Sequence, residues 1–467
     1  MLITFRVSNF LSFNNEVEFS MMAGQPRQLP SHVIHFGEGR SRVDILKTAV
    51  VYGANASGKS NLIKAMDFAR KVIVNGLKSE NTYNKHFRLD SSNQAKVSKF
   101  EFEFKTGDKV YAYGFSLHLE SKKFKSEWLS EIGKTTDKPI LERTVLENGK
   151  SDFKFYLKLK GKIATRFDVY KEDILDSQLF LTELNEKNLE DISEVEGFSE
   201  AFDWFEKGLI IIFPDDVINI SAFSNISEDG KIALVNIMKE LKTGILGIGV
   251  KESDFDNNMA EKISDKILLN YAIKSVSGGN PGVLTSDGGK NQYELYKDGN
   301  KIKARRPVVL QSNQLVEFEI DELSDGTRRL FDLIPLLVPS ENSQKTSIID
   351  EIDRSLHPEL TRKLIEAFNI ATEGVESQLI VTTHESSLLD LNLLRRDEIW
   401  FTEKNQDGES HIYSLEEFKP RHDTELRKAY LQGRFGAIPF ISDTNLLGWA
   451  KNGNQINTST EKSTPSV

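Results

Sequence analysis

Gly53-Ala54-Asn55-Ala56-Ser57-Gly58-Lys59-Ser60 fits the pattern G-x-x-x-x-G-K-[ST]. It directly follows the apolar run Ile45 to Tyr52 and precedes a helix-like segment from Asn61 onward. The glycines let the backbone curl so that successive N–H groups face phosphates, and the following helix adds its positive N-terminal end. The pattern therefore implies a nucleoside-triphosphate site. Lys59 would neutralise the β and γ phosphates, and Ser60 would hold magnesium through its hydroxyl, because this hard cation takes oxygen ligands. Ala49, Val50 and Val51 read as a buried parallel strand, while Leu62, Ile63, Met66, Ala69 and Ile73 recur at helical spacing.

A phosphate loop alone does not separate kinases, GTPases and ATP-driven machines. Further along, Thr346-Ser347-Ile348-Ile349-Asp350-Glu351 is a β-branched apolar run ending in two adjacent carboxylates. That arrangement is expected at the C-terminal edge of a parallel strand, where ligands gather. Asp350 would hold magnesium and Glu351 would polarise the attacking water. Leu323-Ser324-Asp325-Gly326-Thr327 opens a helix-like run from Arg328 to Leu337, so it forms a second anion site. One subunit has no need of two such sites for one γ-phosphate. The economical reading is that Ser324 and Gly326 cap a nucleotide held by a partner subunit. Gln378 to Thr383 is another buried strand, and His384 at its end would donate a hydrogen bond to the γ-phosphate.

The order phosphate loop, LSDGT, IIDEID, strand plus His resembles the ATP-binding-cassette head of the SMC and repair-ATPase superfamily. More narrowly, four segments are similar to the RloA-like ATPases: Leu2 to Phe10, GANASGKSN, Ser355-Leu356-His357-Pro358 and Tyr430 to Pro439. These are stand-alone relatives of the overcoming-lysogenization-defect nucleases of bacterial anti-phage systems. The resemblance implies an α/β fold, an ABC/SMC-type P-loop ATPase head with an inserted mixed helical and β region. It implies that Gly53, Asn55, Gly58, Lys59 and Ser60 contact ATP and Mg2+, that Asp350 and Glu351 serve metal and hydrolysis, and that His384 acts with them. Ser324 and Gly326 would approach ATP across a dimer interface, with Asp353 beside it. In the signature, Asp325 and Thr327 replace the second-position glycine and terminal glutamine of LSGGQ. For the glutamine lid between the lobes, Gln94 is the nearest candidate.

Residues 1–134 read as the N-lobe, 135–304 as an insertion, 305–446 as the C-lobe and 447–467 as a disordered tail. From Ser98 to Glu120, Phe100, Phe102, Phe104, Tyr111, Tyr113, Phe115 and Leu117 alternate around Gly107-Asp108, which predicts a hairpin packed into the core. In the insertion, Ser227 to Lys242 reads as helix, whereas 275–283 and 286–290 read as sheet or loop. No heptad pattern is sustained, so a long coiled-coil arm is not expected. Pro358 is expected to start a helix with His357 just before it, and 398–415 to form a terminal hairpin.

The 467-residue chain carries a net charge of -10, which argues against a generally basic nucleic-acid coat. Basic runs at 122–125, 158–162 and 301–306 are expected to be solvated faces, with a phosphate-backbone groove as the alternative. With no cysteine there is no disulfide, thiolate metal site or catalytic thiol, which fits a cytoplasmic location. No secretory signal or membrane-spanning run is legible.

These features predict a Mg-dependent ATPase that works as a homodimer or higher homo-oligomer sandwiching ATP between heads. The family resemblance adds a separate effector nuclease as partner, with nucleic acid or a phage protein as trigger. A DNA-repair or chromosome-maintenance clamp is the alternative. A non-hydrolysing scaffold is disfavoured by the Asp350-Glu351 pair.

Overall fold

The computed structural model describes residues 1–438 except 25–27, 38–41, 134–135, 188–194, 217–227, 264, 287–290, 313–315, 338–343 and 422–424. The expected tail at 447–467, the end of the expected C-lobe, Pro439 and the Gly288-Gly289 pair lie outside the described residues.

The central sheet runs Leu209–Ile212, Thr346–Ile349, Gln378–Thr382, Thr48–Gly53, Ile399–Lys404, Ser410–Ser414. Its first five strands are parallel and the last is antiparallel. Such strands are covered on both faces and therefore read as continuous apolar runs; every residue of Thr48–Gly53, Thr346–Ile349 and Gln378–Thr382 is buried. Alternation divides the faces. Ala49 and Val51 enter one core with Leu62, Met66 and Phe100, while Val50 and Tyr52 enter another with Leu333, Leu364 and Phe368. The register pairs Ile349 with Val381 and Val381 with Val50, so the chain leaves all three strands at the same sheet edge.

The apolar run Ile45 to Tyr52 is two strands, Val43–Leu46 and Thr48–Gly53. Lys47 separates them, because its buried ammonium turns to the Thr372 carbonyl. The helix expected from Asn61 begins at Lys59 and runs to Asn75. It buries its apolar stripe against the central sheet and a seven-stranded antiparallel sheet that includes Leu2–Ser8, Ser98–Thr106 and Lys109–His118. The predicted hairpin is present, pairing Thr106 with Lys109, and Gly107 takes φ 52 at its turn. Its aromatic stripe is wholly buried, with Phe10 and Phe68 against Phe100 and with Trp204 stacked on Phe104 at 4.2 Å. Lys138–Val145 and Ser151–Phe155 extend this sheet, and Leu209–Ile212 is the edge strand of the central one.

A third body is built from Ile245–Asp254, Gly282–Ser286, Asn291–Asp298, Lys301–Gln311 and Val316–Glu319. The helix Lys266–Ser277 covers it with Leu269, Ala272 and Val276 against Leu284, Leu295 and Ala304. Residues 275–277 therefore end a helix rather than forming sheet or loop. Asp265 caps that helix by accepting from the Ile267 and Leu268 N–H groups at 3.0 and 2.9 Å, and the apolar spacing overrides the glycine-rich sequence that follows.

Replacing the fully buried Phe104 by alanine is expected to cost about 3–5 kcal/mol in urea unfolding. Ile370→Ala, at a side chain 75% exposed, should stay within about 0.5 kcal/mol of wild type.

Candidate functional site

The phosphate loop is braced from outside its own sequence. Ser57 shares a hydrogen bond with Thr402 Oγ1 at 2.6 Å, and Ser410 Oγ donates to the Ser57 carbonyl at 2.6 Å. Asn61 Nδ2 donates to Ser12 Oγ at 2.8 Å, and the Ser410 N–H donates to the Ser12 carbonyl at 2.8 Å. A Cβ on Gly53 would lie 2.5 Å from Ser57 Oγ and from the Thr402 carbonyl; on Gly58, at φ 122, it would lie 2.5 Å from Ser410 Oγ. Both glycines are thus required by space, and Gly58 also by conformation. Asn55 stands exposed at the loop crest.

Lys59 is buried, and its ammonium donates to the Gly53 and Ala54 carbonyls at 2.7 and 3.1 Å. Burial pulls its pKa down to about 8 against the opposing pull of Asp350, Glu351 and Asp353.

Asp350 is buried at the end of its strand. Its Oδ1 accepts from Ser60 Oγ at 3.1 Å and from Thr382 Oγ1 at 2.5 Å. Among the described residues nothing donates to its Oδ2. Glu351 follows at φ 50, a left-handed conformation, and its N–H donates to Thr382 Oγ1 at 2.8 Å. Asp353 Oδ2 accepts from the His384 N–H at 3.4 Å, while its Oδ1 is buried without a partner among the described residues. His384 is exposed above this edge. Partial desolvation and the charge of Lys59 hold its imidazole below the ordinary histidine range, so it is neutral at pH 7.

The structure thus brings residues 53–60, Asp350, Glu351, Asp353 and His384 to one edge. It does not bring the 323–327 segment into hydrogen-bond contact with the phosphate loop. Ser324 is the exposed cap of the helix Asp325–Leu337, sharing a bond with Thr327 Oγ1 at 2.9 Å and accepting from the Thr327 N–H at 3.2 Å. Gly326 faces its own chain's Ser355, whose carbonyl would lie 2.7 Å from an added Cβ. Gln94 donates to Glu120 at 2.9 Å on an exposed turn. His357 caps the helix Pro358–Ala371 by accepting the Glu359 N–H at 3.2 Å.

The residues present fit a nucleotide with magnesium. Two glycines let the loop pack tightly on Ser57, Thr402 and Ser410, the loop opens a helix N-terminus, and Ser60 with Asp350 offers adjacent oxygen donors. Among the described residues no cluster of three His, Asp or Glu forms a metal cage.

Sequence reading passed over Thr382, Ser12, Ser410 and the buried Arg329, whose guanidinium reaches the carbonyls of Phe213 and Asp350 at 3.4 Å. None belongs to a motif; only strand-end position singled out Thr382. The basic run 301–306 is neutralised: Lys301 pairs with Asp254, Lys303 with Asp298, Arg305 with Glu294 and Arg306 with Glu319. Among the described residues no helix is long and apolar enough to cross a membrane.

A family model described as "AAA domain, putative AbiEii toxin, Type IV TA system" matches residues 49–201 and 285–390, more than half of the chain. Among solved structures, the SMC head bound to the C-terminal winged-helix domain of ScpA is 15% identical (TM-score 0.39), with 88% of this chain and 97% of that one covered. The SMC head domain from Thermotoga maritima is 12% identical (TM-score 0.36; 88% and 98% covered). The SMC head with an extended coiled coil bound to the C-terminal domain of ScpA, from Pyrococcus furiosus, is 13% identical (TM-score 0.32; 90% and 99% covered). Among curated proteins no match was found.

Burial disfavours the Lys59 ammonium, so its cost to the folded state is complete below about pH 8 and is relieved as pH rises toward 10.5. A bound polyphosphate restores the charged form. Nucleotide binding should therefore take up a proton above about pH 8. Titration with a fluorescent ATP analogue is expected to show affinity falling between pH 7.5 and 9.5 in wild type and staying flat in Lys59→Arg; a flat wild-type profile would refute this role for Lys59.

Proposed function

The chain belongs to this AAA-domain family, and from that premise we propose that it is an ATP-binding-cassette-like ATPase whose subunits pair head to tail around two ATP molecules. One observation carries the reading. A complete phosphate loop meets the Ser60–Asp350 pair, Glu351 and His384 at one sheet edge, while in the second anion site Ser324 is exposed and Gly326 lies half-buried against Ser355 of its own chain. In this reading the second site closes on the nucleotide of a second copy, with Asp353 beside the interface.

Gly53, Asn55, Gly58 and Lys59 hold the phosphates, with Ser60 and Asp350 as the magnesium ligands. When bound, magnesium offsets charge on the β and γ phosphates. Glu351 orients a water and takes up its proton as the water oxygen bonds to the γ-phosphorus. The bond to the β–γ bridging oxygen breaks, and ADP leaves with that electron pair. Neutral His384 donates to a γ-phosphate oxygen and holds it through the transfer. ATP binding assembles the pair and hydrolysis releases it, which makes the protein a switch.

The switch is read as controlling a separate effector, a nuclease, in anti-phage defence in the cytoplasm, triggered by nucleic acid or a phage protein. The toxin–antitoxin wording of the family description and the resemblance to RloA-like ATPases support this. The carboxylate partners of residues 301–306 weigh against the clamp alternative. In this reading 1–134 and 305–446 supply most of the head, strands from 135–304 join both of its sheets, and the five-stranded body between residues 245 and 319 is the accessory part.

Glu351→Gln is expected to bind ATP, lose hydrolysis by about 100-fold or more and elute from a sizing column as a larger species only with ATP. Unchanged size together with undiminished turnover would remove Glu351 from this role. Lys59→Ala and Ser324→Arg should each be inactive alone. Mixing them should restore turnover, since one composite site then carries no substitution; no rescue in a mixture shown to form hetero-pairs would refute the shared site.

A further inference from the structure

We propose that Thr382 is a positioning residue for hydrolysis, holding the magnesium carboxylate and the water-activating carboxylate in register through one side-chain hydroxyl. The proposal rests on the ATPase reading above.

Thr382 has no exposed surface and ends the strand Gln378–Thr382, two residues before His384. It touches three successive residues of the neighbouring strand end. Its hydroxyl donates to Asp350 Oδ1 at 2.5 Å and accepts the Glu351 N–H at 2.8 Å, and its carbonyl accepts the Ile352 N–H at 3.1 Å. The direction of the hydroxyl is decided by chemistry. An ionised carboxylate only accepts and an N–H only donates, so the single hydroxyl proton lies toward Asp350 and a lone pair toward Glu351.

Glu351 needs that lone pair. At φ 50 it occupies a region that non-glycine residues visit only when surrounding contacts hold them there, and this N–H bond is such a contact. Asp350 needs the proton. With Thr382 and Ser60 both donating to Oδ1, the carboxylate is fixed about its terminal torsion and Oδ2 is the oxygen left to face a cation. Groups that orient metal ligands without touching the metal act in this way. Neither contact involves the nucleotide, so losing them should impair the chemical step rather than binding.

Thr382→Val is nearly isosteric and removes both hydroxyl bonds, whereas Thr382→Ser keeps them. With wild type as reference, Thr382→Val is expected to lower kcat about 10- to 100-fold while the ATP dissociation constant stays within about threefold. It should persist as the ATP-dependent larger species on a sizing column. Thr382→Ser should return kcat to within about threefold of wild type. Equal losses in both variants, or a rise in the ATP dissociation constant matching the loss in kcat, would make Thr382 a structural or binding residue and overturn the proposal. Unchanged turnover in Thr382→Val overturns it alone. A wild type no more active than Lys59→Ala would overturn the ATPase reading and the proposal with it.

Discussion

The carboxamide of Gln378 is the contact on which the two large sheets and the site between them depend. Wholly buried, it accepts the Leu2 N–H at 2.6 Å and the Thr346 hydroxyl at 2.9 Å through Oε1. Through Nε2 it donates to the Leu2 and Leu46 carbonyls at 2.8 and 2.9 Å. One amide therefore joins the first strand of the antiparallel sheet to the end of Val43–Leu46 and to the strand that delivers Asp350. All of its hydrogen-bonding capacity is used, which is the condition for a buried polar group to hold structure rather than weaken it. From this anchor the parallel ladder sets the rest. Ile349, Val381 and Val50 align, and the residues that follow them meet although they are far apart in the chain.

The electrostatics at that edge suit an anion. Lys59 is desolvated and turned back on its own loop carbonyls, and its positive charge helps keep His384 neutral. Arg329 brings a second buried cation to the Asp350 carbonyl, with its Nε lacking a partner. Polyanion binding relieves the first of these costs directly by stabilising the Lys59 ammonium. His384, exposed at the same edge, offers that anion a hydrogen-bond donor. The phosphate loop, Asp350 and Glu351 are thus each held by hydrogen bonds from the protein itself, the kind of fixed arrangement that favours charge stabilisation in a chemical step.

The placement of the motifs on their strands and turns was legible in the sequence because it is local. The turn at 53–60, the strand ending at Asp350, the strand before His384 and the hairpin around Gly107 each declare themselves within about ten residues. What escaped depends on tertiary partners. Nothing in a sequence distinguishes Gln378 or Thr382 from any polar residue flanking an apolar run until the neighbouring strands are in place. Lys47 broke an apparently continuous run because a carbonyl 325 positions away receives its ammonium. The helix Lys266–Ser277 was obscured by the glycines after it, although the Asp265 cap and the Leu269, Ala272, Val276 spacing were present all along.

The loop from Glu351 to Ser355 explains why the signature is not isolated from the carboxylates of its own chain. Both end residues are left-handed, at φ 50 and 62, and each such non-glycine conformation costs about 1–2 kcal/mol. Short bonds from Arg354 N to the Glu351 carbonyl and from Leu356 N to the Asp353 carbonyl tighten the loop, so it has little slack to absorb displacement. At its far end the Ser355 carbonyl lies where a Cβ on residue 326 would collide with it, and only glycine permits this approach. At its near end Thr382 holds the Glu351 N–H. The signature helix thus abuts a strained, tightly tied segment that begins at Glu351. In the proposed head-to-tail pair, closure of the signature on one nucleotide would bear on the carboxylates of the other site through the contact between Gly326 and Ser355.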